Sequence, residues 1–299
     1  MMGNLIQLLA GGLSLGAAYA LVALGFVVIY RASTVLNFAH MPLLTTGAFL
    51  MVGLCKMGVP WGLSAIGAMV LTGALAAAVE RGVMRPMIGK DIVVTSILTI
   101  FVAFFLEAMV IILGGVEQRG MPTPWDTMRT VPILGAKVLV NSLVSLAAGL
   151  VALGGFFALI NYTKLGVAMR AAASDQEASL AHGIPVGKIL SATWFFSGVL
   201  AGLGGIMLGM FPNQVDPLLG TIALRAFPAI ILGGLESPLG AVLAGFIMGI
   251  LEVLAQAYLN PALGAFGQNF HGVFPYLFMI LVLIVRPHGL FGVQEVKRA

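Results

Sequence analysis

The sequence predicts an all-α polytopic membrane protein with about eight transmembrane helices and a short broken or re-entrant segment near 221–238. Of its 299 residues, 60% are hydrophobic and only 9% are charged, and the mean hydropathy is +1.07. Soluble domains carry roughly 25% charged residues, so this chain lacks the polar residues to cover a water-facing surface of normal size. The apolar residues also form runs near the roughly 20 residues that a helix needs to cross the hydrocarbon core.

The predicted spans are joined by short polar segments and are expected to form one transmembrane domain over residues 1–299. They lie at 5–30, 42–58, 60–79, 92–113, 138–160, 189–211, 238–259 and 272–285, and a further apolar segment, 221–234, is short for a crossing. Pairs of glycines four residues apart predict close approach of helix backbones. These pairs are Gly12/Gly16, Gly198/Gly202, Gly205/Gly209 and Gly245/Gly249.

The distribution of Lys and Arg predicts the orientation, because cytoplasmic loops carry an excess of both. Placing loops 31–41, 80–91 and 161–188 and the C-terminal tail in the cytoplasm puts the N-terminus outside. The cytoplasmic side then holds ten basic residues and the outer side five. The ten are Arg31, Arg81, Arg85, Lys90, Lys164, Arg170, Lys188, Arg286, Lys297 and Arg298, and the five are Lys56, Arg119, Arg129, Lys137 and Arg225. The net charge of +4 therefore indicates topology and not binding to nucleic acid.

This orientation requires an even number of crossings after loop 161–188, whereas only three long spans follow it. Segment 221–234 must therefore cross as a short helix, or a neighbouring segment must be re-entrant. Gly233, Gly234, Pro238 and Gly240 are poor helix formers and predict a break there. Such a break either lines a substrate path, as in transporters, or forms a plain cytoplasmic turn. Residues 35–42 present the same two alternatives.

Enzyme and energising motifs are missing from the sequence. The stretch 183–189 is one residue short of a phosphate-binding loop and has no hydroxyl after Lys188, so the chain is not expected to hydrolyse ATP. The four histidines are scattered, and neither a metal site nor a catalytic residue is predicted. Glu107 and Glu252 lie within apolar segments, near the span ends, where water is expected to reach them. Each is either a functional titrating group or a polar packing contact.

The one long polar loop, 161–188, divides the chain near its middle and is predicted to be cytoplasmic. Residues 166–182 predict a helix that ends at Gly183, with Pro185 soon after it. A surface helix presenting Arg170, Asp175 and Glu177 suits the docking of a soluble partner. An ordinary connecting loop is the alternative.

Four motifs in order resemble the permeases of branched-chain amino-acid ABC importers, most closely the shorter of the two permeases that these systems use. They are Gly16 to Gly25 followed by Asn37-Phe38-Ala39-His40; Arg170-Ala-x-Ala-x-Asp175 with Ala178 and Gly183-Ile184; Ile231 to Gly240; and Arg286-Pro287-x-Gly289-Leu290-Phe291-Gly292. Family members commonly carry Gly-Glu after Asn-Phe-Ala-His. This chain has Met41-Pro42 there, which leaves the role of that acidic position and the substrate subtype open.

The resemblance implies a transport subunit of the bacterial inner membrane that binds no cofactor itself. Two cytoplasmic ATPase subunits would use ATP and Mg²⁺, a periplasmic binding protein would deliver substrate, and a second permease would complete a heterodimer. Branched-chain amino acids are the implied substrates, with urea, short amides or other amino acids as alternatives. A secondary transporter or channel that uses Glu107 or Glu252 is the rival from another class.

The implied site residues fall into two groups. The first group would couple the chain to the ATPases, and the second would line the substrate pathway with hydroxyl, amide and backbone groups that bind a zwitterion without a fixed charge. The coupling group is Arg170, Ala171, Ser174, Asp175, Glu177, Ala178, Gly183 and Ile184. The pathway group is Asn37, Thr45, Thr46, Thr95, Ser96, Gly233 and Gly234.

Overall fold

The structure is a computed structural model that describes residues 2–210, 213–287 and 289–291, and it is a bundle of helices. Each of the eight predicted spans is helical over most of its described length, which confirms the predicted fold class. The helices are α1 (Met2–Ser33), α2 (His40–Lys56), α3 (Trp61–Val79), α4 (Ile92–Gly114), α5 (Val140–Tyr162), α6 (Lys164–Ser174), α7 (Gln176–Ala181), α8 (Val186–Met210), α9 (Phe227–Gly233), α10 (Pro238–Leu254), α11 (Asn260–Ala262) and α12 (Phe270–Val285).

Within the described residues, six helical segments are long and apolar enough to cross a membrane. They are Gly3–Ser33, Trp61–Met87, Ile92–Gly114, Val140–Tyr162, Val186–Met210 and Pro238–Ala262. The helices α2 and α12 are shorter, at 17 and 16 residues. Two of the long segments contain π-helical turns, Glu80–Met84 and Ala255–Leu259, which extend α3 and α10.

Helix α1 lies at the centre and packs directly on α10 through the predicted glycine pairs. A Cβ atom at Gly16 would lie 2.8 Å from the Cα of Phe246, and one at Gly245 would lie 2.6 Å from the Cα of Ala20. No side chain fits at either distance, so glycine is required for the two backbones to approach this closely. The small-residue spacing read from the sequence thus corresponds to a real helix contact.

One end of the bundle carries a small structured cap that the all-helical prediction did not include. Strands β1 (Thr130–Ile133) and β2 (Ala136–Leu139) pair antiparallel, and the turn residues Leu134 and Gly135 both have positive φ, at 49° and 82°. Two positive φ angles are typical of the tight hairpin turn that matches strand twist. The start of α1 lies against this hairpin, because a Cβ at Gly3 would be 3.3 Å from the carbonyl oxygen of Gly135. We call this the hairpin end.

The other end, which we call the basic end, gathers Arg31, Arg81, Arg85, Lys90 and Arg170. Gln176 donates to the carbonyl of Ala32 at 2.8 Å, and Arg85 donates to that of Gly187 at 2.7 Å, so the ends of α1 and α3 meet α7 and α8 here. Residues 289–291 lie at the same end, since the Leu290 N–H donates to Leu232. Lys297 and Arg298, which the predicted orientation also places on this side, lie outside the described residues.

The apolar segment 221–234 belongs to a broken crossing between the two ends. A 3₁₀ helix, Leu219–Ala226, is followed directly by α9. Val215 bridges to Arg119 at the hairpin end, while Leu232 contacts Leu290 at the basic end. At about 2.0 Å per 3₁₀ residue and 1.5 Å per α residue, the 15 residues from Leu219 to Gly233 span roughly 26 Å. The segment therefore crosses between the two ends and supplies the fourth crossing after loop 161–188 that the predicted orientation requires.

Candidate functional site

Residues 34–39, which we call the inner loop, leave the end of α1 and turn back inside the bundle. The loop ends at His40, whose ring Nδ1 hydrogen-bonds Ser197 Oγ at 3.2 Å, and the same hydroxyl donates to the carbonyl of Gly25 at 2.8 Å. Gly25 lies eight residues before Ser33, about 12 Å along the helix. Helix α2 is short because the inner loop has already entered the bundle before α2 begins.

Thr99 of α4 holds the inner loop in place. Its hydroxyl oxygen accepts the Phe38 N–H at 3.1 Å, and its one proton is shared between the carbonyl oxygens of Leu36, at 2.9 Å, and Ser96 of its own helix, at 2.7 Å. Thr99 and Asn37 are both fully buried. A non-helical loop inside a bundle leaves backbone polar groups unpaired, so these groups need such partners.

Two polar atoms of this region remain without a hydrogen-bond partner among the described residues. They are Nδ2 of Asn37 and Nε2 of His40, and both side chains are at most 1% exposed. The carbonyl oxygen of the Asn37 side chain is used locally, since it accepts the Ala39 N–H at 3.1 Å. Buried polar atoms without partners are uncommon in folded proteins and mark the loop as a candidate site.

The inner loop separates two cavities. The first, of about 250 Å³, lies toward the basic end and is lined by residues that include Thr34, Val35, Glu80, Thr95 and Gln176. The second, of about 230 Å³, which we call the hairpin-side cavity, is lined by residues that include Phe38, Met41, Thr45, Phe104 and Glu107. Helix α4 lines both cavities, and Thr99 lies between the parts of α4 that face them.

The predicted pathway residues divide between these cavities and other places. Thr45 lines the hairpin-side cavity and accepts the Gly220 N–H at 2.8 Å, while Thr95 lines the other cavity and donates to its own helix at Asp91. Thr46 likewise donates to Pro42 of its own helix, and Ser96 is half-buried on α4 one turn before Thr99. Asn37 lies on the loop between the two cavities.

Gly233 and Gly234 lie elsewhere, in the turn between α9 and α10 at the basic end. Ser237 caps α10 by accepting the Gly240 N–H at 3.1 Å, and Gly234 has a φ of +87°. The break thus has the geometry of a turn between two helices. Its residues Glu236, Ser237 and Pro238 do line a cavity of about 430 Å³, together with Arg31 and Arg170. Neither glycine lines a cavity beside the inner loop in the described chain.

The predicted coupling loop folds as two short helices, α6 and α7, which we call the elbow. The single helix expected over 166–182 is interrupted at Asp175, which is extended (φ −159°, ψ 112°) and caps α7 by accepting the Ala178 N–H at 2.9 Å. A side-chain cap competes with helix continuation, which explains the break. Gly183, with φ +78°, ends α7 as predicted.

The coupling residues differ in how much surface they offer. Ser174, Asp175, Glu177, Ala178 and Gly183 are exposed, whereas Arg170, Ala171 and Ile184 are half-buried. The Arg170 guanidinium donates to the carbonyl of Ile160 and so joins α6 to the end of α5. The sequence did not single out Leu180, an apolar residue of α7 that is 59% exposed.

Two buried carboxylates are neutralised within the chain, and sequence reasoning misread or missed both. Glu252 was expected near water, but it is 3% exposed, pairs with Arg225 at 3.0 Å and accepts the Tyr19 hydroxyl at 2.6 Å. Arg225 itself is half-exposed, and its charge is offset by that of Glu252. Glu80, at 2% exposed, pairs with Arg85 at 2.9 Å and accepts the Ser191 hydroxyl. The sequence feature that could have indicated this ion pair is Arg85, which follows Glu80 by five positions.

Comparison with known proteins agrees with this architecture. The sequence profile of the family described as "Branched-chain amino acid transport system / permease component" matches residues 8–283. The chain is 29% identical to the high-affinity branched-chain amino acid transport system permease protein LivH of Escherichia coli, over 98% of this chain and 97% of that protein. It is 28% identical to the corresponding protein BraD of Pseudomonas aeruginosa, over 98% and 97%.

One solved structure shares the fold at low sequence similarity. It is that of PsaBC from Streptococcus pneumoniae in complex with Fab, and it aligns with a TM-score of 0.52 at 15% identity over 96% of this chain and 97% of that one. The family profile covers far more than half of the sequence, and the curated relatives match nearly end to end. The chain is a member of the permease-component family of branched-chain amino acid transport systems.

Proposed function

We propose that this chain is the membrane-spanning permease of an ATP-driven importer that takes up branched-chain amino acids. Its membership of the family and its nearly full-length similarity to LivH and BraD support the substrate class. The observation that carries the proposal is the elbow, whose outer face is exposed at the basic end while Gln176 joins it to the last turn of α1. A partner that moves the elbow would pull on the entrance of the inner loop.

The proposal also names the partner subunits of the importer and the orientation of this chain in the membrane. Two cytoplasmic ATPase subunits dock at the elbow and use ATP and Mg²⁺, and this chain itself holds no cofactor or ATPase site. A second permease completes a heterodimer, and a periplasmic binding protein delivers substrate at the hairpin end. The chain lies in the bacterial inner membrane with its N-terminus outside and its C-terminus in the cytoplasm. Urea, short amides or other amino acids are the alternative substrates of the same architecture.

The proposed transport cycle follows from the placement of the inner loop between two cavities. ATP-driven closure of the ATPases changes the position of the elbow, and the elbow shifts the inner loop relative to α4. Such a shift requires that the ATPases bind the two arrangements with different affinity. Substrate passes from the hairpin-side cavity, past Asn37 and Thr99, to the cavity lined by Thr95.

Leu180 gives the sharpest test of ATPase docking, because Arg170 and Asp175 also hold the elbow together. The change Leu180→Asp replaces the exposed leucine of α7 by a charge, and a charge buried at an interface without a partner is costly. We expect the ATPase subunits to copurify poorly and leucine uptake to fall more than tenfold.

Leu134→Asp is the matched control for this test. It makes the same substitution at a leucine that is 87% exposed, but at the hairpin end, and there ATPase copurification should stay normal. Wild-type copurification and uptake in Leu180→Asp would refute the assignment of the elbow.

The rival function, a secondary transporter, loses one of its two candidate groups. Glu252 already has two partners within the chain, because it pairs with Arg225 and accepts the Tyr19 hydroxyl, so it is not a free carboxylate facing a pathway. Leucine uptake by this chain in vesicles without any ATPase subunit would favour the rival.

A further inference from the structure

Glu107 has a different environment from the other two carboxylates of the transmembrane region described above. Glu80 and Glu252 are buried and paired with arginine. Glu107 is half-buried, lines the hairpin-side cavity and makes no hydrogen bond or ion pair within the described residues. It lies seven residues before the end of α4, about 10 Å along the helix.

A carboxylate at this depth in an apolar helix is expensive unless something neutralises it or keeps it wet. Neighbouring turns of α4 offer no cation, since Ile100, Ala103 and Phe104 line the same cavity. None of the basic side chains at the hairpin end forms an ion pair with Glu107 within the described residues, and the two bound elsewhere are Arg119, which donates to Gly114 and lies over the ring of Phe49, and Arg225, which pairs with Glu252. Glu107 therefore has no cationic partner within the described residues, and a cation that enters the cavity would neutralise it.

The shape and lining of the cavity indicate what that partner is. Its volume of about 230 Å³ suits a molecule of the size of a small amino acid, and its walls include the apolar side chains of Phe38, Met41 and Phe104. Thr45 Oγ1 is occupied by the Gly220 N–H, and Thr221 donates to Leu218. Glu107 is thus the one charged group on an otherwise apolar wall.

We propose that Glu107 binds the ammonium group of the transported amino acid in the hairpin-side cavity. The aliphatic side chain then packs on the apolar wall, and the charge of the carboxylate is neutralised while substrate is present. A hydrogen bond between an ammonium and a carboxylate is roughly twice as strong as a neutral one, so the contact selects for amines over isosteric carboxylic acids. This inference rests on the proposed function and adds to it a residue that recognises substrate inside the membrane.

The experiment compares Glu107→Gln and Glu107→Asp in the complete importer, reconstituted in proteoliposomes with its binding protein and supplied with leucine. We expect Glu107→Gln to lower the maximal uptake rate about tenfold or more, because the amide offers no negative charge to the ammonium. The apparent KM should change little, since the binding protein captures substrate first. Glu107→Asp retains the charge and should restore much of the rate.

Glu117→Gln is the matched control, because Glu117 is exposed just beyond the end of α4 and should tolerate the change. Equal uptake by wild type and Glu107→Gln would overturn the inference. Loss of copurification of the second permease in Glu107→Gln would overturn it too, since Glu107 would then pair with a cation of that subunit. Failure of the proposed function has a different signature, namely no leucine uptake by the wild-type complex.

Discussion

At the scale of single residues, the position of the inner loop depends on one hydroxyl group. The Thr99 hydroxyl contacts two backbone groups of the loop, the Phe38 N–H and the Leu36 carbonyl, and Thr99 itself is fully buried. A buried backbone group that loses its partner costs about 1–3 kcal/mol, whereas the net gain from making the bond is smaller. Removing the hydroxyl of Thr99 should therefore disturb the inner loop more than removing the methyl group of the same side chain.

Thr99→Val tests this directly, because valine has nearly the same shape and no oxygen. We expect the inner loop to loosen, with a fall in thermal stability in detergent that corresponds to about 1–3 kcal/mol and a several-fold loss of leucine uptake. Thr99→Ser retains the hydroxyl and should behave nearly as wild type. A valine variant as stable and as active as wild type would show that the loop does not need this anchor.

The sequence predicts the residue types at the site better than their partners. The Asn37-Phe38-Ala39-His40 motif marked the inner loop, yet Thr99 lies 61 residues further on than Phe38, and no local pattern joins them. Glu252 looked accessible because it is near the end of a span. It is buried because α9 and its 3₁₀ extension bring Arg225 against it, a contact between residues 27 apart in the chain. Such pairings depend on tertiary packing.

At the scale of elements, Gln176 is the contact that joins the elbow to the inner loop. Its side-chain amide donates to the Ala32 carbonyl at 2.8 Å, two residues before the inner loop begins. The carbonyls of the last turn of a helix lack partners within the helix, so a side-chain donor from another element stabilises that end. The elbow is thereby fixed to the segment that carries Asn37.

Gln176→Met removes the donor while keeping the length of the side chain. We expect ATP hydrolysis by the complex to persist while leucine uptake per ATP falls about two- to tenfold, since one hydrogen bond contributes about 0.5–1.5 kcal/mol. Gln176→Lys restores a donor of similar reach and should recover part of the coupling. An unchanged ratio of uptake to hydrolysis in Gln176→Met would show that the elbow acts through another contact.

The elements themselves were largely predictable, and the exceptions have local causes. Length and hydropathy identified every long span, because a membrane helix must be apolar over most of its length. The break at Asp175 was not predicted, since an alanine-rich stretch favours one continuous helix and only the capping geometry divides it. The β1–β2 hairpin was missed because its four-residue strands lie next to a long apolar span.

At the scale of the whole molecule, the two ends of the bundle differ in charge and in architecture. The N-terminal part of α1 lies beside the hairpin, and residues 289–291 lie at the basic end, so the described chain begins and ends at opposite ends of the bundle. The broken crossing over Leu219–Gly233 makes this possible. Each end holds one arginine in an ion pair, Arg225 with Glu252 and Arg85 with Glu80, so the excess of basic residues at one end equals the sequence count.

The charge asymmetry predicts that the basic end faces the cytoplasm. Leu134, at the tip of the hairpin, and His182, at the end of α7, are both exposed and lie at opposite ends. Cysteines at these two positions, in a Cys55→Ser background that still takes up leucine, should react differently with a membrane-impermeant maleimide. Leu134→Cys should label in intact spheroplasts, and His182→Cys should label only after the membrane is permeabilised.

The reverse pattern would invert the topology and place the elbow out of reach of any cytoplasmic ATPase. Labelling of both from one side would mean that the bundle does not span the membrane as its charges require.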